Sequence, residues 1–271
     1  MTETPRSSWV PQGVDVERPS AARIYDYYLG GGYNFESDRQ FARKAISLLP
    51  SLPMIAQQNR VFLRRAVRFC VQNGIRQFLD IGSGIPSVGN VHEVARQVDP
   101  AARVVYVDNE PVAVAHSRMM LAQDPQTAVV QADVRDPESI LDSPEVRRLI
   151  DFDEPVAVLM VALLHFIPHA DEPKAFLAQY RDAMAPGSFL ALSHATLEHQ
   201  PAITEQVRQL YENSQNPMTA RNRAELEILF DGFELVAPGI VFTPAWRPDS
   251  PEEVGDDPER SVIYAAVGRR R

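Results

Sequence analysis

Residues 78–86 of the chain read FLDIGSGIP, and this stretch is the strongest local indication of the fold. An apolar run passes directly into Gly82 and Gly84, which is typical of a buried strand that leads into a helix through a tight turn. Glycines at such a turn let the backbone approach a ligand closely. A strand followed by G-x-G is weak evidence when it stands alone, and a turn that binds nothing is the alternative. The sequence on either side decides between the two.

Short apolar runs, many of them β-branched, alternate with amphipathic helical segments after residue 74. This alternation predicts βαβ units around a parallel sheet, with helices expected at 91–98 and 173–184 and a later one at 223–230. We expect a Rossmann-like α/β fold with five parallel strands, followed by two strands that form an antiparallel hairpin. The seven predicted strands are 77–81, 104–107, 128–131, 156–161, 189–193, 233–236 and 261–267. Between the last two, residues 244–260 are acidic and irregular, which predicts a mobile surface loop.

The N-terminal part of the chain has a different pattern. Residues 1–19 carry three prolines among polar residues, which predicts an arm that is either flexible or packed on the body. Residues 20–74 read as three helices, with a run of three glycines at 30–32 after the first. We expect this segment to form a cap or lid on the sheet of residues 75–271, within one structural domain.

Acidic residues follow the next two predicted strands. Asp108 ends the second strand, where a carboxylate can accept hydrogen bonds from both ribose hydroxyls of a nucleoside. Asp133 follows the third strand and can accept from an adenine amine, with capping of a short helix as the alternative. Asp80 would repel the pyrophosphate of a dinucleotide, and Ser87 stands where a dinucleotide fingerprint needs its third glycine. A cofactor that carries an ammonium and a sulfonium would instead be attracted by Asp80.

These motifs together resemble those of the class I S-adenosylmethionine-dependent methyltransferases. A narrower resemblance, over residues 19–268, is to a bacterial family of S-adenosyl methyltransferases that was formerly a domain of unknown function. It is carried by ARIYDYYLGG at 22–31, NR at 59–60, GNVHE at 89–93, SHAT at 193–196 and WRP at 246–248. The resemblance implies the class I fold and S-adenosylmethionine as the cofactor. It does not identify the methyl acceptor.

Two groups of site residues follow from the motifs and the resemblance. The predicted cofactor site consists of Asp80, Gly82, Ser83, Gly84, Asp108, Asn109, Asp133 and Val134. The predicted substrate or lid residues are Tyr25, Tyr28, Tyr33, Asn34 and Arg60. Aromatic side chains beside flexible glycines can close over a cleft and keep water out, although an aromatic cap on the sheet edge is the alternative. A solvated basic face is the favoured reading of this arginine-rich helix. The alternative is that Arg60, or Arg23 of the first helix, pairs with the carboxylate of the cofactor's methionine part or of an acidic substrate.

Residues that follow the fourth and fifth strands are the candidates for a general base, because ligands of open α/β sheets bind outside the carboxyl ends of the strands. They are His165 and His194, and for each the alternative is a buried histidine without a catalytic role. No cluster of histidines and carboxylates has the spacing of metal ligands, so no metal is expected.

Composition bounds the possible partners. The chain has 271 residues, of which 45% are hydrophobic and 23% are charged, and its formal net charge is −9. These values predict a soluble globular protein that does not bind bulk nucleic acid or membranes. Cys70 is the only cysteine, which excludes an intramolecular disulfide, and no secretory signal or membrane-spanning stretch is visible. We therefore expect a cytoplasmic protein.

The function that the sequence favours is methyl transfer from S-adenosylmethionine to a small-molecule acceptor. One alternative is a protein that binds this cofactor without transferring a methyl group and serves as a sensor or partner subunit. A nicotinamide-dependent oxidoreductase is less favoured, because Asp80 and Ser87 both oppose a pyrophosphate. The oligomeric state is left open by the sequence.

Overall fold

The computed structural model describes residue 11 and residues 14–87, 89–169, 173–212 and 214–271. Most of the predicted arm, namely residues 1–10, 12 and 13, lies outside the described residues. The end of the arm that is described packs on the body: Val14 is buried in a small apolar cluster with Ile85 and Val112.

Eight strands form one sheet within the described part of the chain. They are β1 (Gln77–Ile81), β2 (Arg103–Asp108), β3 (Thr127–Gln131), β4 (Ala157–Val161), β5 (Phe189–Ala195), β6 (Phe233–Leu235), β7 (Val241–Phe242) and β8 (Ile263–Arg270). Their order is β3-β2-β1-β4-β5-β8-β6, and β7 also pairs with β8. Strands β1 to β5 are parallel, whereas β8 is antiparallel to β5, β6 and β7. The predicted α/β class, its five parallel strands and its antiparallel C-terminal strands are confirmed. The expected count of seven missed β7, because two residues are too few to show a periodicity.

The helices surround this sheet. They are α1 (Ala21–Tyr28), α2 (Glu36–Leu48), α3 (Leu52–Gln72), α4 (Val91–Arg96), α5 (Pro111–Leu121), α6 (Pro137–Leu141), α7 (Pro144–Leu149), α8 (Pro173–Ala183), α9 (Pro201–Tyr211) and α10 (Arg223–Leu229). Because the parallel strands are covered on both faces, they read as continuous apolar runs. Alternate residues of β1 enter different cores: Leu79 and Ile81 pack into one, and Phe78 packs with α3 in the other.

A buried arginine attaches the N-terminal helices to the sheet. Arg23 of α1 is 1% exposed, and its Nε donates to Asp38 of α2 at 2.9 Å while its Nη1 donates to Glu110 at 3.1 Å. Its Nη2 donates to the carbonyl oxygens of Asp15 and Arg18. Because Glu110 precedes α5 and closely follows β2, the ion cluster connects α1 and α2 to the loop that leaves β2. Arg23 is fully engaged in this contact and does not face a ligand.

The acidic segment 244–260, which the sequence predicts to be a mobile surface loop, is anchored on α3. Trp246 is completely buried, with its ring edge-on to Phe62 at 5.4 Å between centroids. Arg65 of α3 donates to the carbonyl oxygen of Pro244 at 3.0 Å and pairs with Glu253. Residues 249–260 lie at the surface as predicted, but the segment is attached to the body, because its acidic residues meet arginines of α3 that the sequence favoured as a solvated face.

Truncation of Arg65 tests this anchor. Arg65→Ala removes the guanidinium donor from the carbonyl oxygens of Pro244 and Trp246 and the charge partner from Glu253, so we expect it to lower the free energy of unfolding by about 2 kcal/mol. The matched control is Arg68→Ala, which removes an exposed ion pair to Asp249 and should cost less than about 1 kcal/mol. Urea unfolding of the two variants and the wild type measures both effects. Equal losses of unfolding free energy in the two variants would contradict the proposed role of Arg65.

Candidate functional site

A cleft of about 250 Å³ opens at the carboxyl ends of β1 to β4, with α1 along its edge. The strand order reverses between β1 and β4, and the crevice at such a reversal is where open α/β sheets bind ligands. All eight residues predicted for the cofactor site line the cleft: Asp80, Gly82, Ser83, Gly84, Asp108, Asn109, Asp133 and Val134. The structure therefore brings together residues from the ends of three neighbouring strands.

The glycine turn after β1 has a backbone that other residues adopt only with strain. Gly82 and Gly84 have φ values of +73° and +67°, in the left-handed region. A side chain at Gly82 would also collide with Leu163, which lies against it. The amides of Gly82 and Ser83 both donate to the carbonyl oxygen of Val107, at 2.8 and 3.1 Å, which ties the turn to β2.

Asp108 connects the ends of β1 and β2. Its Oδ2 accepts from the amide of Gly84 at 2.7 Å, and its Oδ1 accepts from the amide of Glu110 at 2.9 Å. Burial raises the pKa of Asp108 to about 6, against the opposing effect of these amide donors. The carboxylate thus holds the glycine turn in place and lies at the position where a nucleoside ribose is expected.

Asp80 and Arg60 form the charged end of the cleft. Burial raises the pKa of Asp80 to about 7, although the nearby Arg60 opposes this rise and Asp108 adds to it. Arg60 donates from Nη2 to the carbonyl oxygen of Gly89 at 3.2 Å, and its buried Nε has no hydrogen-bond partner. A buried donor without an acceptor is costly. This end of the cleft therefore fits a ligand that carries both a carboxylate and positive charge.

Asp133 lies at the opposite end and is already paired. Arg135 donates to it from Nε at 2.9 Å and from Nη2 at 2.6 Å, and this contact lowers the pKa of Asp133. The capping alternative for Asp133 is not what the structure shows, because Asp136 is the N-cap of α6 and accepts from the amide of Ser139. The neighbouring Val134 is buried and accepts the Tyr180 hydroxyl through its carbonyl oxygen.

The five predicted lid residues separate in the structure. Tyr25 and Arg60 line the cleft, whereas the other three are absent from its lining. Tyr28 packs in the apolar cluster of α1, α2 and α9, and Tyr33 stacks on His116 with 3.8 Å between ring centroids. Asn34 donates to a side-chain oxygen of Asp26 at 2.8 Å.

His165 and His194 do not line the cleft. Both are buried, and their rings are edge-on with 5.5 Å between centroids. Nε2 of His194 lies 2.8 Å from Nη1 of Arg221, which also donates to the carbonyl oxygen of Leu164. Burial and Arg221 together lower the pKa of His165 to about 3, and burial lowers that of His194 well below its usual value. A general base must reach its substrate, so this geometry corrects the expected role: the two imidazoles are neutral members of a buried network.

A hydrogen-bond chain that crosses from β4 to α1 was missed in the sequence. The amide of Ala162 donates to Ser193 Oγ at 2.9 Å, and this hydroxyl donates to Asn59 Oδ1 at 2.6 Å. The Asn59 amide then donates to the Tyr25 hydroxyl at 3.0 Å, which donates to the carbonyl oxygen of Ala56. Ala162 lines the cleft and has φ +57°, a strained value for alanine. The NR and SHAT motifs contain Asn59 and Ser193, but their sequence gives no sign of the contact.

The described residues contain neither a metal-ion site nor a helix that could span a membrane. Among the described residues, no group of three or more histidine, cysteine, aspartate and glutamate side chains can hold a metal ion. None of the helices in the described ranges combines the length and the apolar character that a membrane crossing requires.

Comparisons with known proteins agree with the fold. A family model described as S-adenosyl methyltransferase matches residues 7–271. A proposed methyltransferase from Thermobifida fusca YX is 46% identical, with 98% of this chain and 100% of that chain covered and a TM-score of 0.91. A DUF574 family protein from Streptomyces avermitilis MA-4680 is 40% identical, with 95% and 99% covered and a TM-score of 0.91.

A more distant structure shares the fold alone. The apo form of the S-adenosylmethionine-dependent methyltransferase SibL is 18% identical, with 81% of this chain and 57% of that chain covered and a TM-score of 0.50. The search of curated proteins gave no match.

The raised pKa of Asp80 makes the stability of the ligand-free protein depend on pH. The folded-state pKa of about 7 lies above the ordinary value of 3.8, so ionisation opposes folding as the pH rises between the two. We expect Asp80→Asn to be more stable than the wild type, by an amount that grows from about pH 4 to about pH 7. Urea unfolding without cofactor at several pH values measures this difference.

Asp133→Asn is the control, and its effect on stability should have the opposite sign to that of Asp80→Asn. Because Arg135 holds the pKa of Asp133 below its usual value, loss of that charge should lower stability above about pH 4. A stability gain in both variants, or a gain in Asp80→Asn that does not change with pH, would contradict the assignment.

Proposed function

The chain belongs to the S-adenosyl methyltransferase family, and from this membership we propose that it transfers the methyl group of S-adenosylmethionine to a small-molecule acceptor. The protein is an S-adenosylmethionine-dependent methyltransferase, and the class of acceptor is the part that we propose. The observation that carries the proposal is the single cleft in which carboxylates, an arginine with an unpartnered donor and an apolar wall meet.

The residues of the charged end fit the cofactor. The carboxyls of Asp80 and Asp108 have raised pKa values, so a cationic ligand stabilises their ionised forms. The unpartnered Nε of Arg60 fits a carboxylate. We assign Asp108 to the ribose and Asp133 to the adenine side, as their strand-end positions favour. When bound, the cofactor supplies a methyl group that its sulfonium has already activated.

The opposite wall of the cleft supports a small organic acceptor. It is lined by Leu29 of α1 and by Leu163, Phe166, Ile167 and Pro168, which follow β4. Apolar walls with few polar groups are typical of small-molecule sites, and they exclude water from the transfer. The net charge of −9 disfavours bulk nucleic acid as an acceptor, because no overall positive field attracts phosphates.

Alignment of the acceptor, rather than a strong base, is the contribution that we assign to this wall. Burial raises the pKa of Tyr25, so its hydroxyl stays protonated near neutral pH. The hydroxyl donates to Ala56 and accepts from Asn59, which leaves one lone pair for a proton of the acceptor. Holding two reactants in line can supply about 7 to 11 kcal/mol of a barrier.

The proposal extends to the surroundings of the enzyme. We expect it to act in a reducing compartment such as the cytoplasm, without a membrane or a bulk nucleic-acid partner. The single cysteine, Cys70, supports this expectation because it is buried and free.

Calorimetric titration with S-adenosylmethionine and S-adenosylhomocysteine tests the cofactor site. We expect micromolar binding by the wild type, which corresponds to about −8 kcal/mol. Asp108→Ala should weaken it by about tenfold or more, because an acceptor for the ribose hydroxyls is lost. NADH should not bind.

The control is Asp142→Ala, which removes an exposed carboxylate paired with Arg147 and should leave affinity unchanged. Because Asp108 also holds Gly84, thermal unfolding of each variant must show that the fold is intact. Absence of binding to the wild type would refute the transferase assignment. With binding established, a panel of small amines, phenols and thiols is screened for formation of S-adenosylhomocysteine, and turnover of nucleic acid alone would refute the proposed acceptor class.

A further inference from the structure

Asp26 is a buried carboxylate of the cleft that lies within the ARIYDYYLGG motif, but neither the sequence analysis nor the proposed function gives it a role. It belongs to α1, is 7% exposed and lines the cleft. Its Oδ2 accepts two hydrogen bonds, from the amide of Tyr33 at 2.9 Å and from Nδ2 of Asn34 at 2.8 Å. No residue in the described ranges donates a hydrogen bond to its Oδ1. The carboxylate is therefore held through Oδ2, while Oδ1 has no hydrogen-bond donor among the described residues.

No cation of the described part of the chain pairs with this carboxylate. The neighbouring acid Asp38 is bonded to Arg23, and that guanidinium is fully used there and by Glu110. His116 is the positively ionisable group that faces Asp26, but burial lowers the pKa of this imidazole. Burial raises the pKa of Asp26, while Asn34 and Tyr33 oppose the rise. A positive ligand group would supply the missing counter-charge.

The local sequence is built to keep this carboxylate in place. Gly31 lies directly against it, and any side chain at that position would collide with both carboxylate oxygens. Of the three consecutive glycines, Gly30 has a positive φ of +79°, whereas Gly31 is required by the close approach of Asp26. The glycine run thus serves the position of an acid as well as the turn after α1.

Asp26 lies on the same helix as a residue that is close to Arg60. The preceding residue, Tyr25, is near enough to Arg60 for the guanidinium to affect the pKa of its phenol. Arg60 in turn affects the pKa of Asp80 and lines the cleft together with Asp26. The lining of the cleft thus combines an acceptor without a donor, Asp26 Oδ1, with a guanidinium nitrogen without an acceptor, Arg60 Nε. That pair of charges is complementary to a zwitterionic amino-acid group.

We propose that Oδ1 of Asp26 binds the α-ammonium group of the cofactor's methionine part, while Arg60 binds its carboxylate. This inference rests on the proposed function, because it assigns a subsite within the same cofactor cleft. Asp26 is then a binding residue that distinguishes ligands with an amino-acid tail from plain nucleosides. A charge-assisted hydrogen bond to an ammonium group contributes more than a neutral one, so its loss should be measurable.

The experiment is calorimetric titration of the whole chain with three probes. S-adenosylhomocysteine carries the ammonium and the carboxylate, decarboxylated S-adenosylmethionine carries the ammonium alone, and 5′-methylthioadenosine carries neither. For Asp26→Asn, which keeps an oxygen for Tyr33 and Asn34, we expect affinity for the first two probes to fall about tenfold or more. Affinity for 5′-methylthioadenosine should stay unchanged.

Two further variants make the assignment specific. Arg60→Gln should lower the affinity for S-adenosylhomocysteine but not the affinity for decarboxylated S-adenosylmethionine, because only the first of these ligands has the carboxylate. Gly31→Ala keeps every charge but displaces the Asp26 carboxylate, so it should reproduce the pattern of Asp26→Asn. Thermal unfolding of each variant shows whether it is folded.

The outcomes separate this subsite from the function on which it rests. The ammonium subsite is refuted if Asp26→Asn leaves the affinity for S-adenosylhomocysteine unchanged, or if it lowers the affinity for all three probes equally. Neither result contradicts the cofactor cleft itself. If the wild type binds none of the three probes, the proposed function itself fails before any variant is compared.

Discussion

The cleft of this protein depends on one buried guanidinium. Arg23 is enclosed by Asp38, Glu110 and two backbone carbonyl oxygens, so each of its three nitrogens has an acceptor. Such a charge is tolerated in the interior only when its donors are satisfied, and removal of one partner would leave another charge unpaired. Because Glu110 follows the ribose-side Asp108 by two residues, this cluster places α1 along the open edge of the sheet. Together with the packing of α1 against α2 and α3, it holds Tyr25 and Asp26 beside the ends of the strands.

The cleft itself is a destabilised part of the fold. The charge of Asp108 disfavours ionisation of the buried Asp80, the charge of Glu110 disfavours ionisation of the buried Asp108, and Ala162 holds a left-handed backbone at the end of β4. These features cost free energy in the ligand-free protein and are maintained by the packed strands around them. A cationic ligand would relieve the carboxylate part of that cost. Residues that are unfavourable for folding are thus concentrated where a charged cofactor is proposed to bind.

The sequence predicted correctly the features that depend on neighbouring residues, and it failed where a side chain meets residues that are distant in the chain. The strand 77–81 was predicted to the residue, and the other parallel strands to within two residues, because burial on both faces imposes apolar runs that are visible locally. That the predicted cofactor residues line one cleft also follows from the sequence, since parallel strands end at one edge of the sheet. The histidines were misjudged for the opposite reason. Their position after strands 4 and 5 is correct, but the His194 ring meets Arg221 and the His165 ring accepts from the amide of Ala195, and both partners are distant in sequence.

The α/β class, the parallel core, the glycine turn and the acids at the strand ends could all be predicted from the amino-acid sequence. They depend on periodicity, chain order and backbone freedom, which are local properties. Only the tertiary structure decided what each polar side chain meets. Asp26 faces the cleft because Gly31 allows its approach, and Arg65 is buried because segment 244–260 folds over α3. Such pairings depend on the burial and hydrogen-bonding needs of groups far apart in the chain. These needs are met only when the helices have packed, so no local pattern records them.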